Sequence, residues 1–351
     1  MFVMPKTMKA AVLTELKAPL VIVELTMPET LSIGQVLVKV HFSGICGSQL
    51  GEIDGIKGDD RFLPHLLGHE ASGTVLDIGP GVRHVKIGDK VVLHWRKGLG
   101  IESETPHFTW EGRKVNAGWV TTFNEYAIVS ENRVTAIPVN CDLAVAALFG
   151  CAVTTGFGVV ENNAKLRIGE SVVIFGAGGI GLNIIQAASL VSGHPIIAVD
   201  RYDNRLELAR KMGADYVINS TTEDPFVRIA EILVGRELDV FIDNTGVPKI
   251  IEQGYEAAKS GGRVILVGVP RKGDCIHIHS LPLHFGKVLT GSHGGEAEPH
   301  KDIKRYLGSY NANRFDLRSL ITEKHELDEI NLAITNIRTG KTTGRCLLEF
   351  K

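Results

Sequence analysis

The chain has 351 residues, 44% hydrophobic and 22% charged, with a net charge of −2. This is the make-up of a soluble globular protein too long for one ordinary core, so about two domains are expected. Acidic and basic residues are interspersed, which argues against a nucleic-acid partner or a membrane surface. Five cysteines in this length do not make a disulfide framework, so reduced thiols and a cytoplasmic location are expected. Residues 1–12 carry Lys6 and Lys9 but no sustained apolar stretch and do not read as a secretory signal.

From about residue 8 to 147 the pattern is β-rich. In residues 35–42 Val36, Val38, Val40 and Phe42 alternate with Leu37, Lys39 and His41, a period-two strand. Further strands are predicted at 73–77, 90–93 and 125–129, with turns at Gly79-Pro80-Gly81 and Gly88-Asp89. The rhythm changes near Cys151. Apolar strands at 172–175, 196–200, 216–219, 240–243, 264–267 and 288–289 then alternate with helices such as 204–212, stopped by Gly213, and 248–258, stopped near Gly261-Gly262. That alternation predicts a doubly wound parallel sheet. Residues 171–194 contain no Asp, Glu, Lys or Arg, but their glycines, with Asn183 and Gln186, make a buried strand, turn and helix a better reading than a membrane span. After Ser292 the chain is polar and irregular until 345–350, a last strand expected to return to the first domain. The expected domains are 1–152 with 293–351, and 153–292.

Two patterns carry chemistry. Gly176-Ala177-Gly178-Gly179-Ile180-Gly181 follows the apolar run 172–175, and Asp200 closes the next run, roughly 20 residues on. Gly176 permits the tight turn, Gly178 lets backbone approach a pyrophosphate, and Gly181 lets helix and strand pack closely. The helix N-terminus then presents free N–H groups to the phosphates. An acid at Asp200 accepts from ribose hydroxyls and repels a 2′-phosphate, favouring NAD over NADP, a preference that Arg201 could soften. The second pattern is Cys46, His69 and Cys151. Two soft thiols and an imidazole suit zinc with one coordination position open. A lone cysteine is more often a small buried hydrophobe, and that reading is kept for Cys141, Cys275 and Cys346. A Lewis-acid metal beside a nicotinamide points to hydride transfer to or from a carbonyl.

With these motifs the chain resembles the zinc-dependent medium-chain dehydrogenase/reductase family, typified by the alcohol dehydrogenases. The resemblance runs nearly end to end: Gly44-Ile45-Cys46, Gly68-His69-Glu70-Ala71-Ser72-Gly73, Gly150-Cys151-Ala152-Val153-Thr154-Thr155-Gly156, the glycine fingerprint, Gly213-Ala214-Asp215-Tyr216-Val217 and Val267-Gly268-Val269-Pro270. It implies an α/β protein with a GroES-like β-rich catalytic domain and a Rossmann NAD-binding domain. It implies that Cys46, His69 and Cys151 ligate one catalytic zinc, with Glu70 behind it and able to approach the metal. Ser48 would hydrogen-bond the reacting oxygen and take its proton, and Trp95 would line the substrate pocket. Thr155 and Val267-Gly268-Val269 would lie near the nicotinamide, and Arg205 near the adenine ribose.

Departures from the family pattern bear on the reaction. The histidine that often continues the proton path is Gly51 here, and the acid that usually follows the Ser or Thr is Gln49. Water or Glu52 is left as terminal acceptor. Residues 96–124, where relatives place four zinc-binding cysteines, contain none, so no structural zinc is expected. Trp95, Phe108, Trp110, Trp119 and Phe123 would pack this region instead. The implied activity is oxidation of a primary or secondary alcohol by NAD, with polyols and sugar-derived hydroxyls included. The polar segment 97–114, with Gly47 and Gly51, suggests a roomy pocket. Relatives form dimers or tetramers through sheet edges, a role the strand-like 275–285 could serve. The competing readings are a zinc-free quinone or enoyl reductase, opposed by the intact ligand trio, and a non-catalytic NAD-binding protein, opposed by the retained Ser48.

Overall fold

The computed structural model describes residues 4–351. Two compact units account for the chain: Met1–Cys151 with Glu298–Gly308 and Leu317–Lys351, and Ala152–Ala297 with Ser309–Asp316. Ser309–Asp316 thus groups with the second unit, not with the rest of the tail. Phe315 packs edge-on against Phe157 at 4.8 Å. Gln186 donates to the Asp316 carbonyl at 2.9 Å and accepts from the Asp316 N–H at 3.1 Å.

The first unit is built around the strand Gln35–Gly44. It pairs antiparallel with Glu70–Ile78, Tyr126–Ser130 and Arg345–Glu349, so the last strand joins the first unit. The sheet runs Val134–Ile137, Lys90–His94, Glu70–Ile78, Gln35–Gly44, Arg345–Glu349, Ile321–His325. Thr7–Leu13, Val21–Thr26, His107–Trp110, Arg113–Asn116 and His65–Leu66 close a small barrel. The alternation in 35–42 separates two cores and not core from solvent. Val36, Val38 and Val40 join one apolar cluster with Leu93, Phe123 and Leu348, while Leu37 joins another with Met8, Leu25, Phe108 and Ile128.

The tail after Ser292 is more regular than its polarity suggested. It forms helices Pro299–Asn311 and Ile330–Arg338 and strand Ile321–His325. In Ile330–Arg338 the apolar residues Ile330, Ala333, Ile334 and Ile337 recur at helical spacing and pack on the main core.

In the second unit six parallel strands run Tyr216–Asn219, Ile196–Asp200, Val172–Phe175, Leu238–Asp243, Ala258–Leu266, Val288–Gly291. All six were predicted, because strands buried on both faces read as continuous apolar runs. In chain order this is 3-2-1-4-5-6, the Rossmann arrangement, whose switch point lies between Val172–Phe175 and Leu238–Asp243. Residues 275–285 are not a strand. They end in the short helix Leu281–His284, and the edge strand is Val288–Gly291. Among the described residues no single helix is long and apolar enough to cross a membrane.

Phe241 holds the second core together. Its ring lies 5.4 Å from Phe175 and 6.2 Å from Phe226, and it presses on Gly254 where a Cβ would sit. Phe241→Ala is expected to lower the unfolding free energy by about 3–5 kcal/mol. Denaturant titration checks this, and a loss below about 1 kcal/mol would contradict it.

Candidate functional site

Cys46 follows the end of the central strand and caps the helix Gly47–Ile53. His69 immediately precedes the strand Glu70–Ile78. Cys151 sits between the 3₁₀ turn Leu148–Gly150 and the helix Ala152–Gly158. Three separate elements thereby bring two thiols and an imidazole nitrogen within 4.8 Å of one another. Both cysteines are buried, and His69 Nε2 is buried with no hydrogen-bond partner. A hydrogen bond with the Cys151 thiol holds the Cys46 thiol well below its ordinary value against the opposing effect of burial, with the His69 ring and the Arg345 charge adding to it. A thiol pair, one of them acidified, around an orphaned imidazole nitrogen fits a borderline-soft divalent cation such as zinc. The buried Cys346 behaves in the opposite way: burial pushes its thiol up to about 12, and Glu323 adds to the effect.

Glu70 is not one of the three converging donors. Its carboxylate is fully buried and ion-paired with Arg345, itself buried, on the strand Arg345–Glu349. A Cβ on Gly44 would collide with the Glu70 carboxylate, and one on Gly150 with the Glu70 backbone and the Leu93 carbonyl. Gly44 is therefore dictated by the Glu70 carboxylate, and Gly150 by the Leu93 carbonyl and the Glu70 backbone. Arg345 was not anticipated from the sequence. The only local signal was a charged residue opening a strand whose middle, Cys346–Leu348, is apolar.

Ser48 is half-buried. The neighbouring Gln49 accepts from the Gly68 N–H and donates to Glu52 at 2.9 Å, so it ties the Cys46 helix to the loop carrying His69. Glu52 also meets Lys57 at 3.4 Å. The expected space at Gly51 is not there, since Ile56 occupies the direction a side chain would take, 2.6 Å from an added Cβ. Gly47 does open onto free space. Trp95 is half-buried, with the Arg96 guanidinium 5.8 Å from its ring centre. In 96–124 Phe108 and Phe123 are buried as expected, but Trp119 is 45% exposed; it lies under Arg133 at 5.3 Å and donates to the Ser103 carbonyl at 3.1 Å.

The predicted dinucleotide residues all lie in the second unit, with Gly176 directly after Val172–Phe175, one of the two strands at its switch point. Gly176 has φ +90°, and the Gly176 carbonyl occupies the place of a Gly181 Cβ. Gly178 caps the helix Gly179–Leu190 with no side-chain hydrogen bond and faces open space, a cradle for an anion on free N–H groups. Ile180 and Gly179 form its first turn. Asp200 does more than was expected. It accepts from the Ala177 N–H at 2.8 Å and from the Arg201 and Tyr202 N–H groups at 2.8 and 3.1 Å. The Arg201 and Arg205 guanidinium groups lie 4.8 and 4.9 Å from the Tyr202 ring centre, and Arg205 reaches within 4.0 Å of Asp200. Asn244, missed in the sequence, donates to the Phe175 carbonyl at 3.1 Å. Gly268, between Val267 and Val269, has backbone of Asn244, Thr245 and Gly246 where a side chain would be. Thr155 lies on a helix whose Gly156 packs on Asn183 of Gly179–Leu190.

Comparison with known proteins gives the same two halves. Residues 32–139 match the alcohol dehydrogenase GroES-like domain, and residues 179–309 match the zinc-binding dehydrogenase family. The chain is 30% identical to alcohol dehydrogenase 6 of Peromyscus maniculatus over 97% of each chain. It is 29% identical to an S-(hydroxymethyl)glutathione dehydrogenase of Synechocystis sp., covering 95% of this chain and 97% of that one. The crystal structure of benzyl alcohol dehydrogenase from Acinetobacter calcoaceticus superposes with a TM-score of 0.88 at 29% identity, covering 99% of this chain and 100% of that one.

Two measurements probe this architecture. Arg345→Met leaves Glu70 buried without its countercharge and should cost about 3–5 kcal/mol. Adding Glu70→Gln should recover much of that loss, and a double variant as unstable as the single one would contradict the pairing. His94 is fully buried, donating from Nδ1 to the Arg96 carbonyl at 2.7 Å and accepting from Thr135 at 2.9 Å. Burial pushes it from 6.5 down to about 4. The unfolded chain takes up this proton near pH 6.5 and the folded chain only near 4, so stability falls as pH drops through that window and levels off below it. His94→Asn should flatten the fall in unfolding free energy between those limits.

Proposed function

This chain belongs to the zinc-dependent medium-chain alcohol dehydrogenase family, and from that premise we propose that it interconverts an alcohol and an aldehyde or ketone with zinc and NAD as cofactors. The convergence of the Cys46, His69 and Cys151 donor atoms within 4.8 Å carries the reading. When bound, zinc supplies a Lewis acid toward an alcohol or carbonyl oxygen, and NAD a hydride acceptor. Because 96–124 holds no cysteine, no zinc of the four-cysteine kind belongs to this reading.

The protein's own groups then bind, orient and move a proton. The Ser48 hydroxyl can donate and accept at once, which suits it to take the proton from the reacting oxygen. Glu52 already carries Gln49 and Lys57, which favours water at the end of the path. Glu70, held by Arg345, sets a negative charge beneath the donor cluster. Gly176, Gly178, Gly179, Ile180 and Gly181 hold the pyrophosphate. Asp200 keeps lone pairs for ribose hydroxyls beyond its three backbone bonds, with Arg201 and Arg205 beside it. Thr155, Val267, Gly268 and Val269 flank the nicotinamide. Trp95 borders the substrate, for which polyols and sugar-derived hydroxyls are the favoured class given the polar residues of 97–114. A homodimer or homotetramer is supported by Leu281, Leu283, Phe285 and Val288, exposed beside the edge strand.

Cys46→Ser tests the centre of this reading. The variant should lose the zinc held by the Cys46–His69–Cys151 cluster, and with it alcohol-dependent NAD reduction, while keeping its far-ultraviolet dichroism and NAD affinity. Undiminished turnover after removal of zinc would overturn the mechanism, and short aliphatic alcohols far outperforming polyols in the same assay would overturn the substrate class.

A further inference from the structure

The edge strand Ile321–His325 and its inner neighbour Arg345–Glu349 run parallel, with Glu323 opposite Cys346 and His325 opposite Leu348. Glu323 and His325 are two residues apart and share a face. Arg345 and Cys346 are consecutive and point to opposite faces, so the strand that meets Glu70 with one side chain offers a thiol on its other side. A carboxylate oxygen, an imidazole nitrogen and the Cys346 sulfur come within 4.8 Å of one another. We propose that Glu323, His325 and Cys346 form a second divalent-metal site, suited to zinc, separate from the Cys46–His69–Cys151 cluster and independent of it.

The surroundings are arranged for a cation. His325 Nε2 faces Glu323 at 3.2 Å, while Nδ1 faces Glu329 at 3.3 Å. Glu329 therefore takes the Nδ1 proton and leaves Nε2 turned toward the carboxylate and thiol, the carboxylate–histidine–metal relation that fixes tautomer and ring orientation. Asn336 donates to Glu323 at 3.4 Å and steadies that carboxylate from the helix Ile330–Arg338. Cys346 is buried in the apolar cluster with Leu327, Ile330 and Ala333, whereas His325 and Glu323 are partly open, so an ion enters from their side. Binding replaces the Cys346 thiol proton, released to solvent, by a metal–sulfur bond. One thiolate and one carboxylate then neutralise the dication, and a water completes four-coordination. Sulfur, nitrogen and oxygen together select zinc or cobalt over magnesium or calcium. The ion would clasp the last two strands of the sheet to each other.

Cobalt(II) titration of the whole chain tests the site. In Cys46→Ser/Cys151→Ser, stripped with chelator, one equivalent of cobalt should still bind and give the near-ultraviolet absorption of a cobalt–thiolate bond. Adding Cys346→Ala should abolish that absorption. Glu329→Gln, on an exposed side chain that leaves the fold intact, should weaken cobalt binding about 10–100-fold. Absorption that survives Cys346→Ala, cobalt bound without thiolate absorption, or no binding by the folded double variant would each overturn the proposal.

Discussion

The donor cluster rests on one buried ion pair. Glu70 starts one strand, Arg345 starts another, and both charges are withdrawn from water. Such a pair is costly to bury and is retained only where geometry and surrounding contacts compensate. Here it fixes the floor under three chain segments. Gly44 and Gly150 lie against Glu70 so closely that neither tolerates a Cβ, and each stands within two residues of a thiol. The Ile45 N–H donates to the Cys346 carbonyl at 3.0 Å, so the strand bearing Arg345 also holds the Cys46 loop by its backbone. The three donors are positioned from below by charge and close packing, and Gln49 adds a lateral tie to Gly68.

The second unit solves a comparable problem with backbone groups. Asp200 binds the Ala177 N–H and so locks the end of one strand to the glycine turn of its neighbour. Asp243, fully buried, accepts from the Thr245 and Gly246 N–H groups at 3.0 and 2.8 Å, and burial raises its carboxyl above the usual range. Together the two aspartates stiffen the carboxyl ends of the strands on both sides of the switch point, where a ligand meets an open α/β sheet.

What could be read in the sequence follows from what is local. The six parallel strands were legible because each is a continuous apolar run. The glycine turn was legible because its steric demands fall on neighbouring residues. Cys46, His69 and Cys151 were legible as residue types in characteristic company. Arg345, the Gln49 tether and the Glu323–His325–Cys346 trio were not, since each depends on a partner brought from a distant strand or loop. Gly51 misled for the same reason: the space it frees is taken by Ile56, whose inward turn no local pattern announces. The tail misled because its helices are amphipathic and Pro299–Asn311 is mostly polar, so only a stripe such as Ile330, Ala333 and Ile334 betrays them.

The pairing of Arg345–Glu349 with Gln35–Gly44 has a consequence for how the chain is made. Synthesis delivers the valine-rich strand early and its neighbour some three hundred residues later. The second unit, complete by Asp316, can assemble while the Phe42–Gly44 end of the earlier strand is still unpaired on that flank and open to mispairing. The half of the protein that is translated first is thus the half that finishes folding last.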